Sequence, residues 1–380
     1  MIDTSARTLF DDDHAIFRDS VRRFFAQELT PNIERWEREH LVDKAFWRRC
    51  GEMGLLCPGV PPEYGGMGLD FLYNAIIGEE FAYSGCVIAA NVHSDVNVDY
   101  IMRYGTEAQK RKWLPRMVAG ETITAIAMTE PGAGSDLKSI RTTARRVGDE
   151  YVINGAKTYI TNGQNADLVI VVAKTDPERG SKGVSLLLVE ADRRGFERGR
   201  RLDKIGLHSS DTSELFFHDV RVPLENLLGE EHQGFRYLMS QLQQERLSIA
   251  IMSQGSAQRA FDEAVRFTKD RTAFGTAVFD FQNTRFQLAA MSAKLQASWA
   301  HLDWCLLRHV GGKLTATEAA AAKLFHSELQ WEICDAALQL HGGAGYINEF
   351  PIARLWRDAR VSQIYGGTSE IMKEIIGRSL

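Results

Sequence analysis

A carboxylate set among apolar side chains is the feature of this chain with the clearest chemical consequence. Glu245 falls on the line Leu238, Leu242, Glu245, Ile249, Met252, whose spacing of four, three, four and three traces one face of a helix. Desolvation raises an unpartnered acid from its usual pKa of about 4.3 toward neutrality. In that range a carboxylate is suited to removing a weakly acidic carbon-bound proton as a general base. The competing reading is a structural ion pair with Arg246 or Arg259, because buried acids usually have partners. Helical position alone leaves both open.

Two glycine-rich segments are candidates for holding a ligand through the backbone. Thr129-Glu130-Pro131-Gly132-Ala133-Gly134-Ser135-Asp136 leaves a β run and enters a turn whose amides are accessible, and Gln363-Ile364-Tyr365-Gly366-Gly367-Thr368-Ser369-Glu370 offers a second close approach. Taken alone, each is equally an ordinary turn. Arg271 and Gln282, flanking Phe274-Gly275, read by themselves as surface polar residues, and Asp95, Asn97 and Asp99 on one helix face either solvent, the favoured reading, or a polar substrate end.

Several chemistries lack their signatures. No strand leads into G-x-G-x-x-G, no G-x-S-x-G elbow is present, and the isolated His93 and His341 have no metal-ligand spacing, so no metal is expected. The five cysteines, Cys50, Cys57, Cys86, Cys305 and Cys334, are scattered without a C-x-x-C pair and read as reduced, packed thiols. A net charge of -5 gives no basic footprint for nucleic acid or an anionic membrane, and no apolar run approaches spanning length. Asp3, Asp11, Asp12 and Asp13 near the start do not suit a targeting leader.

The elements that would position these residues fall into three stretches, 1–120, 121–230 and 231–380. The first is helical. Phe17, Val21, Phe24 and Phe25 share a face, a second helix covers Phe71 to Tyr83, and Thr106 with Gln109 forms a capping box ahead of Trp113 and Met117. Gly65, Gly66 and Gly68 mark a loop. The middle stretch carries β runs at Thr122 to Met128, Tyr151 to Ile153, Leu168 to Ala173, Val184 to Val189 and Ser213 to Phe217. Gly148-Asp149, Asn154-Gly155 and Asn162-Gly163 act as hairpin or loop dipeptides, and an antiparallel sheet or barrel is expected. Beyond Gly234, alanine-rich helices broken near Gly311-Gly312, Gly342-Gly345 and Gly366-Gly367 predict a four-helix bundle. The fold class is α+β, mainly α.

Met128 to Asp136, Lys157 to Gly163 and Gln363 to Glu370, in this order, resemble the acyl-CoA dehydrogenase family across nearly the whole chain, with a pattern closest to its long-chain type. The resemblance implies a helical domain, a β-barrel and a four-helix bundle, with FAD as cofactor. It implies that Met128, Thr129, Tyr159 and Thr161 surround the flavin ring, that Ser135 touches acyl-CoA or cofactor, and that Thr368 and Glu370 complete the cofactor contacts. Arg271, Gln282, Gln339, Gly342 and Gly343 would serve the adenosine end of a neighbouring subunit's FAD, which implies a homotetramer built as a dimer of dimers.

Many members place the base directly after the aromatic residue of the last motif, where this chain has Gly366 after Tyr365. Others place it in Glu-Arg-Leu on a bundle helix, matched by Glu245-Arg246-Leu247, and this favours Glu245 as base. The implied reaction has the thioester carbonyl held by the Gly366 N–H and a ribityl hydroxyl. Proton loss to Glu245 and hydride departure toward flavin N5 then give trans-2-enoyl-CoA, with Arg246 on the CoA portion and Tyr365 beside the substrate. Electron-transfer flavoprotein is the implied acceptor. Rival readings are an isovaleryl-type dehydrogenase, an oxidase or monooxygenase on the same scaffold, and a non-catalytic acyl-CoA-binding member. The expected location is the cytoplasm for a bacterial protein, or the mitochondrial matrix for a processed eukaryotic one.

Overall fold

The computed structural model describes residues 7–380. Among the described residues six α-helices come first: α1 (Asp12–Phe24), α2 (Ile33–Glu39), α3 (Lys44–Glu52), α4 (Phe71–Ser84), α5 (Val98–Tyr104) and α6 (Glu107–Val118). Asp11 caps α1 by accepting from the His14 amide, and the helix buries Val21 and Phe24 before passing into a π-helical turn at Phe25–Leu29. At α6 the capping box forms as read. Thr106 Oγ1 accepts from the Gln109 amide at 3.2 Å, Gln109 Oε1 accepts from the Thr106 amide at 3.0 Å, and Trp113 and Met117 are buried.

The middle of the chain forms β1 (Thr124–Ala127), β2 (Thr143–Val147), β3 (Glu150–Thr161), β4 (Leu168–Lys174), β5 (Val184–Glu190), β6 (Phe196–Arg201), β7 (Thr212–Pro223) and β8 (Leu227–Leu228). They make one sheet in the order β6-β7-β3-β2-β4-β5-β8, with β1 beside β4. The sheet is not closed as a barrel, because β6 and β8 remain at opposite ends of this order. Nor is it wholly antiparallel, since β1 and β2 both run parallel to β4. Its buried strand β4 serves two cores: Leu168, Ile170 and Val172 join the core of the N-terminal helices, and Val169, Val171 and Ala173 join the core of the sheet. Burial on both faces explains the unbroken apolar run.

Gly148-Asp149 is the turn between β2 and β3, closed by the Val147–Glu150 pair. Asn154-Gly155 is not a turn. It lies inside β3 at a register shift, where a Cβ on Gly155 would come within 2.4 Å of Thr142 Oγ1.

The remainder is α7 (Gly234–Asp270), a short hairpin of β9 (Thr272–Ala273) and β10 (Thr276–Ala277), then α8 (Gln282–Val310), α9 (Ala316–His341), α10 (Pro351–Ala359) and α11 (Ser369–Gly377). Three long helices and two short ones make up this domain, with α7 lying along both α9 and α4. The fully buried Glu79 of α4 is answered by Arg7 at 2.8 Å and Arg18 at 2.7 Å. All five cysteines are free and buried. Among the described residues no helix is long and apolar enough to cross a membrane, and no cluster suited to a metal is found.

Candidate active site

Glu245 sits on α7 as its spacing implied, with Leu238, Ile249 and Met252 of its stripe buried and Leu242 half-buried. Its carboxylate accepts a hydrogen bond from Tyr100 Oη at 3.1 Å. Burial pushes the carboxyl up to about 7, outweighing the Tyr100 hydrogen bond and the Arg246 charge that favour ionisation. Neither arginine makes the structural ion pair: Arg259 is engaged with Glu263 at 2.6 Å, and Arg246 forms none among the described residues. Arg246 is 5% exposed, its Nε lacks a hydrogen-bond partner, and burial depresses its pKa.

The segment from His93 to Tyr100 corrects the surface reading of Asp95, Asn97 and Asp99. Val92–Asn97 is a π-helical turn in which Asp95 and Asn97 are buried, while Asp99 is half-buried and paired with Arg103 at 2.7 Å. On one side, Asn97 donates to Thr124 Oγ1 at 3.1 Å, and His93 Nδ1 lies 2.9 Å from that same hydroxyl on β1. On the other side, Asp95 accepts from Ser248 on α7 at 2.6 Å, while Tyr100 holds Glu245. This segment therefore ties the candidate base to the strand that delivers Met128 and Thr129, a connection that the residue spacing did not disclose. Burial also pushes the Asp95 carboxyl up to about 6.

Around the first motif a buried ion pair sets the loop. Glu130 meets Lys157 Nζ at 2.9 Å and accepts from the Thr142 amide at 3.0 Å, and the same lysine donates to the Met128 carbonyl at 3.0 Å. The Thr158 amide donates to Thr129 O at 2.9 Å, so the first two motifs are stitched together. The β3 bulge between Lys157 and Ile160 leaves Tyr159 at φ 58° and 68% exposed, a strained and open placement for a large aromatic ring. Thr129 and Thr161 are half-buried, Ser135 is exposed, and nothing lies within 4 Å of a Cβ on Gly132 or Gly134. A free aromatic face, two threonine hydroxyls and an open glycine turn fit a flat, hydrogen-bonding ring with a polar tail, as FAD is.

The last motif packs on the same stripe as Glu245. Gly366 (φ 65°) and Gly367 (φ 97°) both use the left-handed backbone that glycine permits. A Cβ at Gly366 would fall 2.3 Å from Ile249 Cδ1, one helical turn beyond Glu245. Tyr365 and Glu370 are exposed, and Thr368 caps α11 by accepting from the Ile371 amide at 3.3 Å. Lys323 of α9, which the residue reading passed over, donates to Gly367 O at 2.7 Å.

Arg271, Gln282, Gln339, Gly342 and Gly343 are not brought to this site. All are exposed: Arg271 just after α7, Gln282 at the start of α8, Gln339 in the last turn of α9, and Gly342 and Gly343 just after it. Arg271 closes α7 at a distance from Glu245 of roughly 40 Å, taking about 1.5 Å of rise per residue.

A helical domain, an open mixed sheet and a second helical domain thus follow one another along the chain. The chain belongs to the acyl-CoA dehydrogenase family, whose N-terminal, middle and C-terminal domain profiles match residues 11–121, 125–220 and 232–380. It is 46% identical to the long-chain specific acyl-CoA dehydrogenase of Mus musculus mitochondria, over 100% of this chain and 89% of that one. The acyl-CoA dehydrogenase of Geobacillus kaustophilus superposes with a TM-score of 0.95 at 48% identity, covering 97% of this chain and 98% of that chain. A glutaryl-CoA dehydrogenase of Mycobacterium smegmatis in complex with FADH2 superposes with a TM-score of 0.92 at 28% identity, covering 99% and 96%. The protein is thus a flavin-dependent acyl-CoA dehydrogenase with FAD as its cofactor, an enzyme of fatty acid β-oxidation.

Proposed function

We propose that this enzyme converts straight, medium- to long-chain acyl-CoA thioesters to trans-2-enoyl-CoA with Glu245 as the base. The observation that carries the reading is Glu245 itself: a carboxyl held near neutrality on an apolar stripe, beside the loop that has Gly366, not an acid, directly after Tyr365. An acid at about 7 is ionised often enough to take a proton and basic enough to hold it. Tyr100 donates to the ionised form and moderates the rise.

In this reading the thioester carbonyl lies against the Gly366 N–H, and Arg246 and Tyr365 flank the substrate. Glu245 removes the α-proton as the β-hydrogen departs with its electron pair and the double bond forms. The chemistry supplied by bound FAD is acceptance of that hydride. Met128, Thr129, Tyr159 and Thr161 orient the ring, Ser135 contacts acyl-CoA or cofactor, and Thr368 and Glu370 complete the cofactor contacts. Arg271, Gln282, Gln339, Gly342 and Gly343 serve the FAD of a neighbouring subunit. Their exposure, and the distance of Arg271 from Glu245 along α7, support a homotetramer in which sites are completed between chains. The reduced enzyme passes electrons to electron-transfer flavoprotein. The long-chain preference is supported by the motif pattern and by the identity to a long-chain specific relative.

The test is anaerobic flavin absorbance of wild type and Glu245→Gln mixed with saturated acyl-CoAs of short, branched and long chain. Bleaching of wild type, fastest with the longer straight chains and slowed roughly 100-fold or more by the substitution, is the expected result. No bleaching with any acyl-CoA overturns the dehydrogenation, equal bleaching in both proteins moves the base elsewhere, and fastest bleaching with the branched substrate overturns the chain preference.

A further inference from the structure

Lys323 is fully buried on α9, among the buried alanines Ala319, Ala320 and Ala322 that let α9 approach α7 closely. A buried ammonium without a carboxylate is costly. The same molecule shows how a structural lysine meets that cost, for Lys157 is equally buried and paired with Glu130 at 2.9 Å. Lys323 makes no such pair among the described residues; its polar contact is the Gly367 carbonyl at 2.7 Å. The nearest charge on α7 is another cation, Arg246, which is itself buried with an unpartnered Nε. Two buried cations, neither in an ion pair among the described residues, therefore stand by one glycine loop, beside the stripe that carries Glu245.

Cations held without an ion-pair partner are placed to complement a negative charge that appears only during reaction. On the dehydrogenation proposed above, that charge is the enolate oxygen formed when the α-proton leaves, and the Gly366 N–H is the group that meets it. Gly366 and Gly367 both have left-handed backbones, so this loop has few steric restraints of its own and needs an external anchor to fix its amide.

We propose that Lys323 is a positioning residue for this reaction: by gripping the Gly367 carbonyl next to Arg246, it fixes the Gly366 amide and provides positive potential where the enolate develops. The inference rests on the dehydrogenation reading, and its test separates the two. The charged groups around Lys323 are Arg246 on α7, Glu328 on its own helix and Glu370 on α11. Burial, reinforced by Arg246, pushes the amine down to about 8.

The experiment uses flavin-loaded wild type, Lys323→Met and Lys323→Gln. Each is titrated across pH with a 3-thia-acyl-CoA, whose α-proton can leave but which has no β-hydrogen to give up. The long-wavelength absorbance of the bound enolate reports proton removal alone. In Lys323→Met the pH midpoint of this absorbance is expected to rise by about one unit, and turnover of the normal substrate to fall roughly tenfold or more with KM little changed, as expected for a misplaced donor. Wild-type turnover is expected to fall above about pH 8 and to show no such fall in Lys323→Met, while Lys323→Gln, which keeps a donor, recovers part of the loss. An unshifted midpoint overturns the proposal, even where flavin content or thermal midpoint drops, because a merely structural lysine would change only those. If Lys323→Met does not accumulate as folded protein, Lys323→Gln is judged by the same midpoint. Failure of wild type to give the absorbance or to bleach overturns the dehydrogenation itself.

Discussion

Glu130, in the loop after β1, and Glu245, on α7, are both set into protein, and their surroundings drive their acidities apart. At Glu130, burial is overcome by the Lys157 ammonium and by amides donated from Arg141 and Thr142, which hold the carboxyl below the usual range. At Glu245, burial is opposed only by one tyrosine hydroxyl and a nearby arginine, and the carboxyl rises to about 7. Burial alone therefore does not make an acid reactive. A fully partnered carboxylate anchors a loop, and an under-partnered one is free to exchange a proton.

The sharpest way to break this comparison is to strip Glu130 of its cation. Lys157→Met leaves a carboxylate buried beside apolar surface, and losing one partner of a buried pair costs about 3–5 kcal/mol. Because the folded pKa of Glu130 is depressed, its contribution is fully present above the unfolded value and disappears as pH falls through the folded one. Denaturant unfolding of Lys157→Met at neutral pH should show that loss, with weakened FAD retention because Lys157 also holds the Met128 carbonyl. The deficit should shrink toward pH 4, roughly where Glu130 becomes neutral in the variant. Undiminished stability would mean that the pair does not set this loop.

The two acids also mark what was legible in the residues. The Glu245 stripe could be read because a period of 3.6 survives in a long helix, and the Thr106 box because its partners lie three residues apart. The apolar strands β4 and β5 announced themselves. β6, Phe-Glu-Arg-Gly-Arg-Arg, is half-buried to exposed at every position, and β2 ends in exposed Arg145, Arg146 and Val147, so neither carried an apolar signal. Lys157 and Lys323 were opaque for a different reason. A lysine in a strand or in an alanine-rich helix reads as surface until its partner is known, and the partner of Lys323 is 44 residues away. The buried Asp95 and Asn97 were lost to the π-helical turn, which displaces side chains from the faces that ordinary periodicity assigns. Closure of the sheet depends on whether edge strands meet, which strand patterns do not specify.

A smaller effect of opposite sign is expected at Glu245. Its folded pKa is raised, so ionising it disfavours the folded state, and that penalty grows as pH climbs from the unfolded value of 4.5 through about 7. Glu245→Gln should accordingly be more stable than wild type at about pH 8, by roughly 1–2 kcal/mol after allowance for its partial exposure, and indistinguishable from it near pH 5. Thermal unfolding of the two proteins at both pH values measures this. A Glu245→Gln protein destabilised at the higher pH would make Glu245 a structural anchor like Glu130.

The smallest and most selective change is Tyr100→Phe, which keeps the ring in contact with Tyr104 and removes only the hydroxyl that donates to Glu245. That hydrogen bond stabilises the ionised carboxylate, so its loss should carry the Glu245 pKa further up, by up to about one unit for a bond worth roughly 1 kcal/mol. The acid limb of the pH profile for proton removal moves upward by the same amount. Turnover at about pH 7 then falls severalfold and returns to the wild-type level where both carboxyls are ionised. A profile that drops equally at every pH would mean that Tyr100 acts on the geometry of the base, and an unchanged profile would place the titrating base elsewhere. The shift separates the two acids directly, because no hydrogen bond joins Tyr100 to Glu130, and whatever sets the Glu130 loop remains intact in the variant.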